Sequence, residues 1–345
     1  MCEASRCGAG EKWPAGVELK VGVIGCGTMG SNLARNCAAL AGARISATAD
    51  VEEERARQLA EELNADCSCD YRELLGGAVD AVIVAVPNLL HAEVSAAAAK
   101  AGKHVFCEKP MALSVAECDA MIEAAQGRGV ALMIGQSERY DPVFAKAKEI
   151  VDSGIIGHPF SIHVERIDGI DWGAGGAAWR RRREMSGGML FHCNVHEVDY
   201  MRYVCGDVDR VSALMSKNVA EDIDYEDAAH VQLHFRSGAI GTLVAGHCSA
   251  LPGIGGKVHC TKGTVHFRRQ EAVTYNTFGG EPVHIPVEEI EAEPAIRREL
   301  REFVESARKG KPPTIPGEEG RKAVEIIEAA YRAAAEGSEV TIEAR

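Results

Sequence analysis

The chain has no uninterrupted apolar run of about 18 residues, so it predicts no helix that spans a membrane. Residues 1–17 are polar and glycine-containing and lack the apolar centre of a secretory signal, so no signal peptide is expected. Basic residues are not in excess: 38 lysines and arginines against 51 acids leave a formal charge of −13. Nucleic acid and anionic membrane surfaces are repelled by that balance away from a local basic patch, so neither is expected as a partner. The 12 cysteines contain no C-x-x-C pair, and several sit in apolar runs, where a thiol packs as a small hydrophobe. In a chain this long that pattern predicts a reducing compartment and no disulfide framework. There is no internal repeat and no low-complexity segment. These absences point to a soluble, cytoplasmic protein. Its 345 residues, 46% hydrophobic and 26% charged, are enough for two domains.

Within residues 18–141, short apolar runs alternate with helical patterns. Leu19–Gly25 reads as a buried strand, and Met29–Leu40 as a helix. Arg44–Asp50 and Ala78–Val86 are further strands, with acid-headed Val51–Asn64 a helix between them. Ser114–Gln126 is a helix with a cap at Ser114 and Glu117 three residues on. This alternation predicts an α/β domain built on a doubly wound parallel sheet. The texture changes over residues 142–345. Ala228–Phe235 with Ala239–His247, and Lys257–Thr261 with Thr264–Phe267, read as hairpins, and helices are predicted at about Gly188–Val204, Ala295–Arg308 and Glu318–Ala335. The second domain is therefore α+β with an open, mostly antiparallel sheet, and residues 1–17 form a tail.

Gly25-Cys26-Gly27-Thr28-Met29-Gly30 is G-x-G-x-x-G between an apolar strand and a helix, the context in which it cradles a dinucleotide. Gly25 permits the tight turn, Gly27 lets a pyrophosphate approach the backbone, and Gly30 lets helix and strand pack closely. Asp50 ends the second strand, where an acid accepts from ribose hydroxyls. Its charge repels the 2′-phosphate of NADP, and no cation follows until Arg55, so NAD is favoured over NADP.

Two further segments, Val86-Pro87-Asn88-Leu89-Leu90-His91 and Lys103-His104-Val105-Phe106-Cys107-Glu108-Lys109-Pro110, resemble the Gfo/Idh/MocA family of oxidoreductases. Ser153-Gly154-Ile155-Ile156-Gly157 and Gly187-Gly188 through His196-Glu197-Val198-Asp199 extend the resemblance along nearly the whole chain. It implies a Rossmann domain, and a second domain whose open sheet joins homodimers or homotetramers. It also implies that Lys109 lies beside the nicotinamide and the reacting hydroxyl, and that His196 is the catalytic histidine, with Asp199 the acid after it. Pro87, Asn88 and His91 belong to a loop lining the cofactor; Glu108 and Pro110 shape the lysine's turn, often with a cis peptide before the proline. Chemistry agrees: alcohol oxidation needs a base for the hydroxyl proton and a cation for the developing alkoxide. A plain surface lysine is the competing reading of Lys109.

The chain departs from the family where it has His192-Cys193-Asn194-Val195-His196, with His192 in place of an aspartate and Asn194 in place of a glycine. In a helix His192 and His196 share one face, and Asp199 stands a turn on, able to orient His196. Three readings stay open for His192: a neutral residue that holds substrate, part of a remodelled site with different net chemistry, or half of a metal pair with no third ligand evident. A buried core histidine is the bland fourth. Arg180-Arg181-Arg182-Arg183 reads as a solvated cationic loop or as a grip on an acidic substrate. Gln136, where an asparagine is common, is assigned no role in chemistry.

The leading expectation is a dehydrogenase acting on a sugar, cyclitol or related polyol. The alternative is glycoside cleavage by transient oxidation, elimination and return of the hydride. A third is a dinucleotide or ligand sensor without catalysis, which has no need of both Lys109 and His196.

Overall fold

The computed structural model describes residues 13, 16–169, 178–290 and 293–344. The chain divides into two compact units, Met1–Gly135 with Ile296–Arg321, and Gln136–Ala295 with Lys322–Arg345. The tail expected over residues 1–17 falls almost wholly outside the described residues. The first crossing comes earlier than the expected boundary after residue 141, and the chain later returns.

In the first unit the elements alternate as the sequence predicts: β1 (Leu19–Ile24), α1 (Thr28–Ala38), β2 (Ala43–Ala49), α2 (Glu53–Leu63), β3 (Asp66–Ser68), α3 (Tyr71–Gly76), β4 (Ala81–Val84), α4 (His91–Lys100), β5 (His104–Glu108), α5 (Val115–Gln126) and β6 (Leu132–Gly135). The strands form one parallel sheet in the order β3-β2-β1-β4-β5-β6. All of β4 and nearly all of β1 are buried, because helices cover both faces of a parallel sheet. Their sequences are apolar runs for that reason. Strand order reverses between β1 and β4, and ligands of open α/β sheets bind beyond the carboxyl ends of strands at such a point. The α5 cap forms: Ser114 Oγ accepts from Glu117 N–H, and Glu117 Oε2 accepts from Leu113 N–H.

In the second unit Asp141 caps α6 (Pro142–Asp152) by accepting from the amides of Val143 and Phe144, with Pro142 in the first turn, where its missing N–H costs nothing. There follow β7 (Pro159–Gly169), α7 (Arg183–Ser186), α8 (Val195–Cys205), β8 (Val208–Ser216), β9 (Ala228–Phe235), β10 (Ile240–Ser249), β11 (Gly253–Cys260), β12 (Gly263–Arg268), β13 (Ala272–Thr277), β14 (Val283–Pro286), α9 (Ala295–Lys309), α10 (Gly317–Glu336) and β15 (Val340–Thr341). Nine strands make one sheet in the order β14-β13-β12-β11-β7-β10-β9-β8-β15. Both expected hairpins form, β9 with β10 and β11 with β12; only β10 and β7 run parallel. Phe144 of α6, Tyr200 of α8 and Phe267 of β12 meet edge to face, with ring centroids 4.8–5.5 Å apart. Helix α8 is thereby fixed against the sheet.

The helix predicted over Gly188–Val204 forms as one continuous helical run over 189–205, its early turns, Leu190–Asn194, wound as a π helix. Gly187 and Gly188 have φ of 84° and 95°, which end α7, and a π turn, Leu190–Asn194, precedes α8. Such wide turns interrupt helices mostly at functional places.

Most of α9 and the start of α10 belong to the first unit. Phe303 packs edge to face on Phe106 at 5.7 Å, Ile134 N–H donates to Ile315 O at 3.0 Å, and Arg321 pairs with Asp119. Among the described residues no helix is long and apolar enough to cross a membrane.

Candidate active site

The first unit carries the glycine turn that the sequence assigns to a dinucleotide. Gly25 has φ +92°, and a Cβ there would lie 2.5 Å from Ala85 O; one on Gly30 would lie 1.8 Å from Gly25 O. Neither position admits a side chain. A Cβ on Gly27 would meet nothing within 4 Å, which leaves room for a group to approach the backbone. Thr28 and Met29 are exposed at the start of α1, where the helix dipole favours an anion. Asp50 is tied to this turn: its Oδ2 accepts from Cys26 N–H at 2.7 Å and its Oδ1 from Glu52 N–H at 2.9 Å. The residues fit a dinucleotide. An open cradle at a helix start stands beside an anchored carboxylate, and no side chain fills it.

The loops after β4 and β5 are joined by His91. It is buried, with Nδ1 2.6 Å from Pro110 O and Nε2 2.9 Å from Val86 O. Burial lowers its pKa, so at neutral pH one ring nitrogen donates and the other carries a lone pair. The resemblance places His91 in a cofactor-lining loop; both facing atoms are carbonyl oxygens, which only accept, so the neutral ring donates to one of the two, Pro110 O or Val86 O. Pro87 is half-buried and Asn88 buried in the same loop. The Lys109–Pro110 peptide is cis. Lys109 follows directly on β5, at the carboxyl edge of the sheet. Glu108 Oε2 accepts from Lys109 N–H at 3.2 Å. Desolvation pushes the Glu108 carboxyl up to about 7, with the Lys109 charge opposing it.

The second unit carries His196, Asp199 and His192. His196 lies in the first turn of α8, 8% exposed, with Nδ1 2.9 Å from Gln136 Oε1. Asp199, expected to orient His196, is corrected here: both its oxygens accept from Arg139, at 2.6 Å each. Its position one helical turn on aims it at Arg139, which also lies over the Tyr203 ring. Glu197 is fully buried and pairs with Arg166 at 3.3 Å. Arg166 and Arg269 flank buried Glu138, at 3.7 and 3.2 Å. Burial first, and then the Glu197 charge, raise the Glu138 pKa well above the usual carboxylate range. Residues 136–140 thus hold the first turns of α8 through Gln136, Glu138 and Arg139.

His192 lies half-buried in the π turn, its ring 5.4 Å from Trp179 and edge-on to it. The Arg180 guanidinium lies 5.6 Å from the same indole. The arginine run separates by partner: Arg181 pairs with Asp222 at 2.9 Å, Arg183 with Glu226, and Arg182 is exposed. Among the described residues no carboxylate pairs with Arg180, and its Nε is buried. Asn194 is buried, with both amide atoms unpaired among the described residues. Asp168, Cys193 and His247 bring potential metal-binding atoms within 4.8 Å of one another, a group that includes neither His192 nor His196. Arg166 Nε already lies 3.2 Å from Asp168 Oδ2, so a guanidinium supplies the cation there.

Sequence reasoning gave Gln136 no role in chemistry and singled out neither Arg139 nor Trp179. Gln136 and Arg139 meet partners 60 residues away, and Trp179 meets His192 and Arg180.

Comparison with known proteins adds the following. Residues 19–136 match the profile GFO_IDH_MocA, described as an oxidoreductase family with an NAD-binding Rossmann fold, and residues 148–342 match its C-terminal α/β domain. The chain is 33% identical to a myo-inositol 2-dehydrogenase of Thermotoga maritima over 94% of this chain and 99% of that protein. It is 32% identical to a 2,7-anhydro-N-acetylneuraminate hydratase of Escherichia coli, over 81% of this chain and 76% of that protein. A levoglucosan dehydrogenase solved with NADH and levoglucosan superposes with a TM-score of 0.86 at 25% identity, covering 95% of this chain and 100% of that one.

Proposed function

The chain belongs to the Gfo/Idh/MocA family of oxidoreductases, and on that premise we propose that it moves a hydride between NAD and a secondary hydroxyl of a sugar, cyclitol or related polyol. The observation that carries this reading is Lys109 at the carboxyl edge of the same sheet that holds the Gly25–Gly30 turn. NAD, when bound, supplies the hydride acceptor or donor. Gly25, Gly27, Thr28, Met29 and Gly30 cradle its pyrophosphate, and Asp50 takes the ribose hydroxyls. His91 holds the loops of Pro87, Asn88 and Pro110 in place. Glu108 sets the charge next to Lys109. Lys109 presents its ammonium to the substrate oxygen and stabilises negative charge developing there. His196 takes the hydroxyl proton in oxidation and returns it in reduction. His192 and Arg180, gathered around Trp179, hold the substrate, with Arg180 suited to an acidic group.

Net hydration through a hidden oxidation is the second reading, favoured by the hydratase relative together with His192 in place of the family's aspartate. A panel of inositols, free sugars, glycosides and anhydro-sugars, followed by product mass and nicotinamide absorbance, separates the two. Substrate-dependent absorbance at 340 nm is expected for net oxidation. Product formation at constant absorbance would replace that reading with hydration or cleavage, and neither signal across the panel would sink both. The same panel on Arg180→Ala should raise KM for acidic members by about tenfold, the worth of one charge-assisted hydrogen bond. An unchanged KM removes Arg180 from the site.

Asp50→Asn keeps an oxygen for Cys26 N–H but removes the charge. KM for NAD should rise about tenfold, by the loss of one hydrogen bond to a charged acceptor, while discrimination against NADP weakens. Steady-state kinetics with both cofactors check this, and an unaltered NAD-to-NADP preference argues against the assigned contact.

A further inference from the structure

We propose that Gln136 is a positioning residue that sets the tautomer of His196. This rests on His196 acting as a base, the reading given above. Gln136 is 1% exposed, and its Oε1 lies 2.9 Å from His196 Nδ1. A carbonyl oxygen only accepts, so Nδ1 carries the proton in this contact. In a neutral imidazole that leaves the lone pair on Nε2, the nitrogen able to take a substrate proton. The opposite tautomer, common for imidazole in water, puts the lone pair on Nδ1 and disarms Nε2.

The setting gives the contact its effect. Water has almost no access to Gln136, so the bond has no solvent competitor. Gln136 Nε2 has no partner among the described residues, so the histidine is the one side-chain contact that fixes this amide. The main chain is held as well: Gln136 O accepts from Arg139 N–H at 3.1 Å, and Arg139 grips Asp199 one turn beyond His196. The two elements that carry ring and amide are therefore joined twice, by the Gln136–His196 contact and by the Arg139–Asp199 pair. The carboxylate that usually orients a catalytic histidine is replaced by an uncharged acceptor, which fixes the tautomer without raising the basicity of the ring as a negative charge would.

The test reads the tautomer directly. In the full-length protein with ¹⁵N-labelled histidine, long-range proton–nitrogen correlation should show His196 with a protonated Nδ1 and a pyridine-like Nε2 above its pKa; His196→Asn identifies the signal. Gln136→Glu, an isosteric acceptor with a charge, should keep that tautomer and move the acid limb of kcat/KM up by about one pH unit, since a nearby opposite charge favours imidazolium. Gln136→Leu should mix the tautomers and lower kcat tenfold or more while KM changes little. A pyridine-like Nδ1 in the parent overturns the proposal, as does an unmoved acid limb in Gln136→Glu. The nitrogen signals need no turnover, so they stand or fall apart from the function. If the tautomer is as stated but His196→Ala retains full activity, the function fails and the positioning survives.

Discussion

His196→Ala lowers kcat by about two to four decades while leaving NADH binding, followed by fluorescence titration, near its parent value. Lys109→Ala loses a similar amount, because a cation placed where alkoxide charge develops is worth several kcal/mol in a water-poor site. The two variants separate by pH. With the base present, oxidation quickens as pH rises through the His196 titration; that limb disappears in His196→Ala. A second limb is expected from Glu108, whose carboxyl burial raises to about 7. Below that pH it is neutral; above it, its charge favours the Lys109 ammonium. This limb should survive His196→Ala and vanish in Glu108→Gln. Turnover within threefold of the parent in either alanine variant, with cofactor still bound, would remove that residue from the chemistry.

Breaking the Arg139–Asp199 pair has the largest effect expected on stability. Both side chains are buried, at 5% and 1% exposure, and two hydrogen bonds of 2.6 Å join them. Asp199→Leu removes the carboxylate that both short bonds reach, a loss of about 3–5 kcal/mol for one partner of a buried pair. Arg139→Met with Asp199→Leu should recover most of it, because two apolar side chains of similar size need no charge compensation. Urea unfolding followed by a probe in the second unit checks both. A single variant within about 1 kcal/mol of the parent would show that water or another group takes the place of the lost partner. Since His196 shares the turn with Asp199, the single variant should also lose turnover and the double variant regain part of it.

How much was legible follows from where each residue's partners lie. β1, α1 and β2 could be read because their signals are local: an apolar run, three glycines at fixed spacing and an acid at the next strand end. Both hairpins of the second sheet were readable for the same reason, their turn residues being adjacent in the chain. The three-residue β3, at the polar edge of the sheet, carries no such run and was passed over. The His192–His196 stretch is helical as read, but that its turns over Leu190–Asn194 are π rather than α was not legible, since side-chain spacing is nearly the same in the two. Asp199 was expected to orient His196 because they are three residues apart on one helix. Arg139, 60 residues away in sequence, is the partner that forms, and nothing local to Asp199 names it. Gln136 was assigned no role in chemistry for the same reason, as its partner is a ring 60 positions on.

The return of the chain to its first unit bears on how such proteins can be recombined. The Rossmann sheet draws on a late segment, through Phe303 on Phe106 and Ile315 on Ile134. A crossover at residue 135 therefore parts the nucleotide-binding half from its own closing strap, and a foreign second half must bring a compatible one. Exchange of substrate preference between relatives is better sought in an insert bounded at both ends, residues 136–295, than in a cut that trades one half of the gene for another.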